Sequence, residues 1–209
     1  LLFFGLLFNR LTLSVLGRAL ILLTHVFGIP LEVPDSPREQ PTTLQLETLD
    51  RTVRLIPSSH RAHLSLIQVR RPNQVPATGG GHNHQQRLIR LSHASLSRRF
   101  NRNFNQTLLH EMGHLIERAY GIARWMRRQS DNPDARELLE TAHDGHTGGP
   151  AERIADCYMI YLIRFFGGAA NLPADPAAYR GDAAERRFRA LLQSPAFANS
   201  ADTTAEMLA

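Results

Sequence analysis

Two histidines four residues apart, with a glutamate directly after the first, stand in "TLLHEMGHLIERAYG", residues 107 to 121. Four residues advance an α-helix by slightly more than one turn, so His110 and His114 project from one side and both imidazoles can reach one ion. Glu111 is rotated by about 100° from His110. It lies near such an ion without being a first-choice ligand, placed to take a proton from a water molecule there. Zn2+ suits this set, and it needs at least one more protein ligand while leaving a position open. Downstream, "TGGPAERIADCYMIYLIRFFGG" carries Glu152 and Asp156 one helical turn apart, opposite much of the Ile154, Ile160, Leu162, Ile163 and Phe166 surface. Two carboxylates on an otherwise apolar helix require an explanation. Glu152 as third ligand, with Asp156 accepting a hydrogen bond from the free ring nitrogen of a metal-bound histidine, is one that serves.

The other histidines, the tyrosines and the cysteine have weaker claims. One of His143 and His146, in "TAHDGHTGG", is placed to stabilise an oxyanion, and His146 is taken as the catalytic candidate beside Glu111. Tyr120, Tyr158, Tyr161 and Tyr179 compete for that role, with core packing the expectation for the first three. His60, His63 and His93 read as surface or half-buried residues. His82-Asn83-His84 reads as a polar loop beside the Gly79-Gly80-Gly81 turn, with His82 and His84 as minor candidates for lining a substrate cleft. Cys157 is expected to be buried and inert, and a single cysteine excludes an intrachain disulfide or a thiolate zinc site.

His110-Glu111-x-x-His114 followed by Glu152-x-x-x-Asp156 resembles the gluzincin zinc metallopeptidases, the thermolysin-like and lethal-factor-like HExxH enzymes whose third ligand is a glutamate on a second helix. The resemblance covers mainly residues 86 to 166. It puts "QRLIRLS" (86 to 92) in the place of the family's substrate-lining edge strand. It implies His110, His114 and Glu152 as Zn2+ ligands, Glu111 as general base and Asp156 as the partner of a ligand imidazole. The departure is the absence of an obvious tyrosine or histidine motif for the oxyanion. More loosely, the chain is similar to metallopeptidase domains fused to the C-terminus of VgrG-type spike proteins of type VI secretion. That similarity implies secretion or delivery into a target cell, periplasm or host, as part of a larger bacterial protein.

The elements that must position these residues follow from pattern and punctuation. "LLFFGLLFNRLTLSVLGRALILLTHVFGI", residues 1 to 29, has Arg10, Ser14, Arg18 and His25 at helical spacing and is read as one or two core-packed helices, with membrane contact as the other use of so apolar a segment. "PLEVPDSPREQP" (30 to 41) has four prolines in twelve positions and reads as an extended connection. A helix over 43 to 55 follows, stopped by Pro57. Strands are expected at 63 to 70 and at 86 to 92, with a Pro/Gly turn region between them. Asn105 is the expected N-cap of the HEMGH helix, Leu108, Met112, Leu115, Ile116 and Ala119 its apolar stripe, and Gly121 its stop.

Composition narrows the function classes. The 209 residues suffice for one domain with a full core: 1 to 41 as N-terminal helical segment and connection, 42 to 209 as the metallopeptidase domain, together one unit. All 24 basic residues are arginine, scattered and without interleaved aromatics, so the net charge of +5 is not read as a nucleic-acid surface. Leu1 in place of an initiator methionine leads us to expect a piece of a longer polypeptide. The fold expected is a helix-rich, zincin-like α+β domain, a small sheet of 64 to 70 and 86 to 92 packed over the HEMGH helix with an antiparallel edge near the metal. Its partner would be a protein or peptide, peptidoglycan peptides included. The competing reading is a non-catalytic or membrane-acting module with a structural zinc. An intact Glu111 argues against it, since a structural site needs ligands but no base.

Overall fold

Residues 12–14 and 21–33 depart most from the helical expectation. In the computed structural model, which describes residues 12–14, 21–34, 36, 40–75, 80–93, 101–129, 131–140, 149–166 and 181–198, these segments form strands β1 (Thr12–Ser14), β2 (Ile21–Val26) and β3 (Ile29–Val33). Ser14 and His25, two members of the supposed helical stripe, lie on different strands. The Phe27-Gly28 pair turns the chain between β2 and β3 with φ of 44° and 79°, both positive as in a two-residue primed hairpin loop. A bulky residue pays for such a φ with strain. Contacts offset it: Phe27 N–H donates to Asp50 Oδ1 at 2.9 Å, and the Arg54 and Arg61 guanidinium carbons lie 4.2 and 4.6 Å from the ring centroid.

β3 runs into the proline-rich stretch, with Leu31 and Val33 buried. It runs parallel to β4 (Leu66–Arg70), so residues on both sides of position 41 share one sheet. The crossover consists of α1 (Thr43–Arg54) and α2 (Ser58–Arg61). Thr42 and Gln45 cap α1 reciprocally, each side chain accepting from the other's backbone N–H. β5 (Gly80–Asn83) and β6 (Leu88–Ser92) form a hairpin, and β6 inserts between β4 and β5 to give the order β1-β2-β3-β4-β6-β5. The β3–β4 and β4–β6 pairs are parallel and the others antiparallel. The edge strand expected at 86 to 92 is therefore interior. The edge is β5, which glycine content had disguised as a turn.

Ile67, Val69, Ile89 and Leu91 join Leu108, Leu109, Met112, Leu115 and Ile116 of α3 (Asn101–Tyr120) in one buried cluster. α3 starts four residues before the expected cap, so Asn105 lies within the helix, and Ala119 is exposed. Gly121, at φ 62°, ends α3 and leads into α4 (Ile122–Arg127). α5 (Pro133–Glu140), α6 (Pro150–Phe166), α7 (Gly181–Gln193) and α8 (Pro195–Ala198) complete a helix-rich α+β fold. Among the described residues no helix is long and apolar enough to cross a membrane.

Candidate metal centre

α3 and α6 pack closely because two small residues meet at their crossing. A Cβ on Gly113 would stand 2.6 Å from the Cα of Ala155, so only glycine permits this approach. The contact brings the first two turns of α6 against the histidine face of α3. Glu152 sits in the first turn of α6, where the helix N-terminus favours a carboxylate. Its Oε2 lies 3.2 Å from His110 Nε2 and 3.3 Å from His114 Nε2, and the two Nε2 atoms are 3.1 Å apart. Four ligands at about 2.0–2.1 Å from a tetrahedral ion stand about 3.3 Å from one another, so this triangle has the size of one face of a zinc shell, and its nitrogen and oxygen donors are those zinc takes.

Asp156, one turn further along α6 and buried, places Oδ1 2.7 Å from His110 Nδ1. A carboxylate accepts, so Nδ1 carries the proton and Nε2 presents its lone pair. That lone pair faces His114 Nε2 and the Glu152 carboxylate. The three groups converge around a place where a cation is stabilised. Burial opposes a charge on His110, but the hydrogen bond and charge of Asp156, aided by Glu111 and Glu152, outweigh it and hold its pKa above the ordinary value. For His114, burial and then the neighbouring His110 prevail over Glu152, and its pKa is lowered.

Glu111 is 6% exposed, and its Oε2 lies 2.7 Å from His82 Nδ1 on β5. The His82 ring is stacked on His114, centroids 4.6 Å apart and planes 22° from parallel. His82, Glu111 and His114 form a second group with metal-ligating atoms close together, but its His82–Glu111 separation is that of a hydrogen bond and shorter than a tetrahedral edge. Gly80 lets β5 approach: a Cβ there would collide with the Thr107 methyl and stand 3.3 Å from Glu111 Oε1. Reading 82 to 84 as a polar loop missed this. His82 and Asn83 belong to β5, and His84 opens the turn. Alternation was the available signal, since Gly80 and His82 share one face of the strand.

His60, expected at the surface or half buried, is fully buried, with Nδ1 3.0 Å from the Tyr158 hydroxyl and Nε2 2.9 Å from the Ala196 carbonyl oxygen. His63 is half-buried with Nε2 3.4 Å from the Tyr120 hydroxyl; burial and Arg87 lower its pKa. Tyr161 is buried in an aromatic group with Phe165, Phe188 and Phe197, its pKa pushed up to about 12 by burial. Tyr158 and Tyr161 thus pack in the core, and Tyr120 lies against His60 and His63. Cys157 is buried, which raises its pKa and leaves it a thiol. His143, His146 and Tyr179 lie outside the described residues. Comparison with family models, curated proteins and solved structures finds no match to this chain.

Proposed function

We propose that the chain is a zinc-dependent hydrolase of peptide or amide bonds with a zincin-like arrangement of its two site helices. The observation that carries this reading is the convergence of His110 Nε2, His114 Nε2 and Glu152 Oε2 at 3.1–3.3 Å, with Glu111 beside it on the same helix. When bound, zinc would polarise the scissile carbonyl and make a water molecule acidic near neutral pH. His110, His114 and Glu152 would hold the ion, and Asp156 fixes the His110 tautomer through Nδ1. Glu111 accepts the proton of the attacking water and returns it to the leaving amine. Among the described residues no strand pairs with the outer side of β5, where an extended peptide can add as a further strand. The oxyanion partner would come from outside this set, and His146 remains the candidate. The looser resemblance to spike-borne peptidase domains is the reason to test cell-wall peptides beside protein substrates.

The test combines zinc analysis with cleavage of a quenched fluorescent peptide library and of peptidoglycan fragments. Wild type should hold one zinc per chain and cleave at least one of them. Glu111→Gln should keep the zinc and lose cleavage. A wild type that takes up no zinc, or a Glu111→Gln variant as active as wild type, overturns the reading.

A further inference from the structure

A buried carboxylate without a hydrogen-bond donor is costly, and nothing then fixes which of its oxygens faces the site. Glu111 is buried, and among the described residues its donor is His82, 29 positions earlier in the chain on the edge strand. A carboxylate only accepts, so His82 carries its proton on Nδ1. The same ring lies flat against His114, whereas His110 is fixed by Asp156 instead. Absence of a side chain at Gly80, two residues before His82 and on the same face, lets the strand come this close.

We propose that His82 is a positioning residue for Glu111: the edge strand holds the general base in one orientation through the His82 Nδ1–H to Glu111 Oε2 hydrogen bond and steadies the His114 ring from its open side. Oε1 is thereby left as the oxygen that meets the water. This rests on the function proposed above and adds a residue to it. It also makes the edge strand part of the catalytic geometry, so a peptide docking on β5 would bear on the strand that orients the base.

Asparagine places an amide N–H close to where histidine places Nδ1–H, while leucine keeps bulk and removes the donor. His82→Leu should keep one zinc per chain and lower kcat on the quenched peptide library by about 10 to 100-fold, as loss of such supporting partners does, with KM within about twofold of wild type. His82→Asn should recover most of that loss, which a purely packing role would not predict. Independently of turnover, the imidazole 15N–1H spectrum of wild type should show His82 as the Nδ1–H tautomer with a proton slow to exchange, and Glu111→Ala should make that exchange fast. An Nε2–H tautomer, an unchanged kcat in His82→Leu, or no rescue by His82→Asn overturns the proposal. So does loss of the zinc from His82→Leu or a second zinc in wild type, because either makes His82 a ligand. If wild type binds no zinc or cleaves nothing, the hydrolase reading fails, and the His82 tautomer and exchange still decide whether the strand holds Glu111.

Discussion

His60 on α2 and His110 on α3 both hydrogen-bond to side chains of α6, His60 to the Tyr158 hydroxyl and His110 to the Asp156 carboxylate. Their second nitrogens are used differently. The Ala196 carbonyl can only accept, so His60 carries its proton on Nε2 and takes the Tyr158 O–H on Nδ1, with both nitrogens satisfied inside the core. The Asp156 carboxylate also only accepts, so His110 carries its proton on Nδ1 and turns its Nε2 lone pair toward His114 and Glu152. The core strut and the candidate ligand are thus opposite tautomers. What sets them apart is the α6 partner on Nδ1: the Tyr158 hydroxyl can donate and leaves the ring proton to Nε2, whereas the Asp156 carboxylate only accepts and keeps it on Nδ1.

The sharpest break of this comparison is His110→Ala, which should abolish zinc retention on a chelating column while the melting temperature of the metal-free protein changes little. Retention of one tightly held zinc would remove His110 from the site. His60→Ala should do the reverse. It leaves the Tyr158 hydroxyl and Ala196 carbonyl buried and unpaired beside a small cavity, a loss of about 2–4 kcal/mol, read by urea unfolding, with one zinc still bound. Next in size, Asp156→Asn should weaken zinc affinity or turnover by about 10 to 100-fold without unfolding the chain; wild-type behaviour would deprive Glu152 of its support as third ligand. Gly113→Ala reaches the site only indirectly, through the helix crossing. Helix propensity favours alanine by about 1 kcal/mol, but overpacking against Ala155 costs about 1–3 kcal/mol. Because the clash is with Ala155 backbone, the crossing must open, so the net should be a clear destabilisation with weaker zinc binding, and the His60 tautomer unchanged in the imidazole spectrum.

The two helices of the candidate site were legible because their information is local. Spacing puts His110 and His114 together on α3, and Glu152 and Asp156 together on α6, and Pro150 and Gly121 mark ends where the structure has them. That the two helices meet was not legible from spacing; it depends on Gly113 facing Ala155, a contact across 42 residues of sequence. His60 was misread because its partners stand 98 and 136 residues away. β2 and β3 were misread because Phe-Gly is an unusual pair for a hairpin loop, and its contacts with Asp50, Arg54 and Arg61 become visible only in three dimensions. β5 was lost to its glycines, which weaken a strand signal while allowing close approach to α3.

The short β5 strand also bears on self-association. An open sheet edge invites pairing with another copy of the same chain, and long, flat, hydrophobic edges are the ones that aggregate. Gly80–Asn83 is four residues long, offers two glycines, a histidine committed to Glu111 and an asparagine, and turns back at once into β6. Such an edge gives a second copy little apolar surface to hold. A four-residue, glycine-rich edge of this kind is thus a poor seed for fibres.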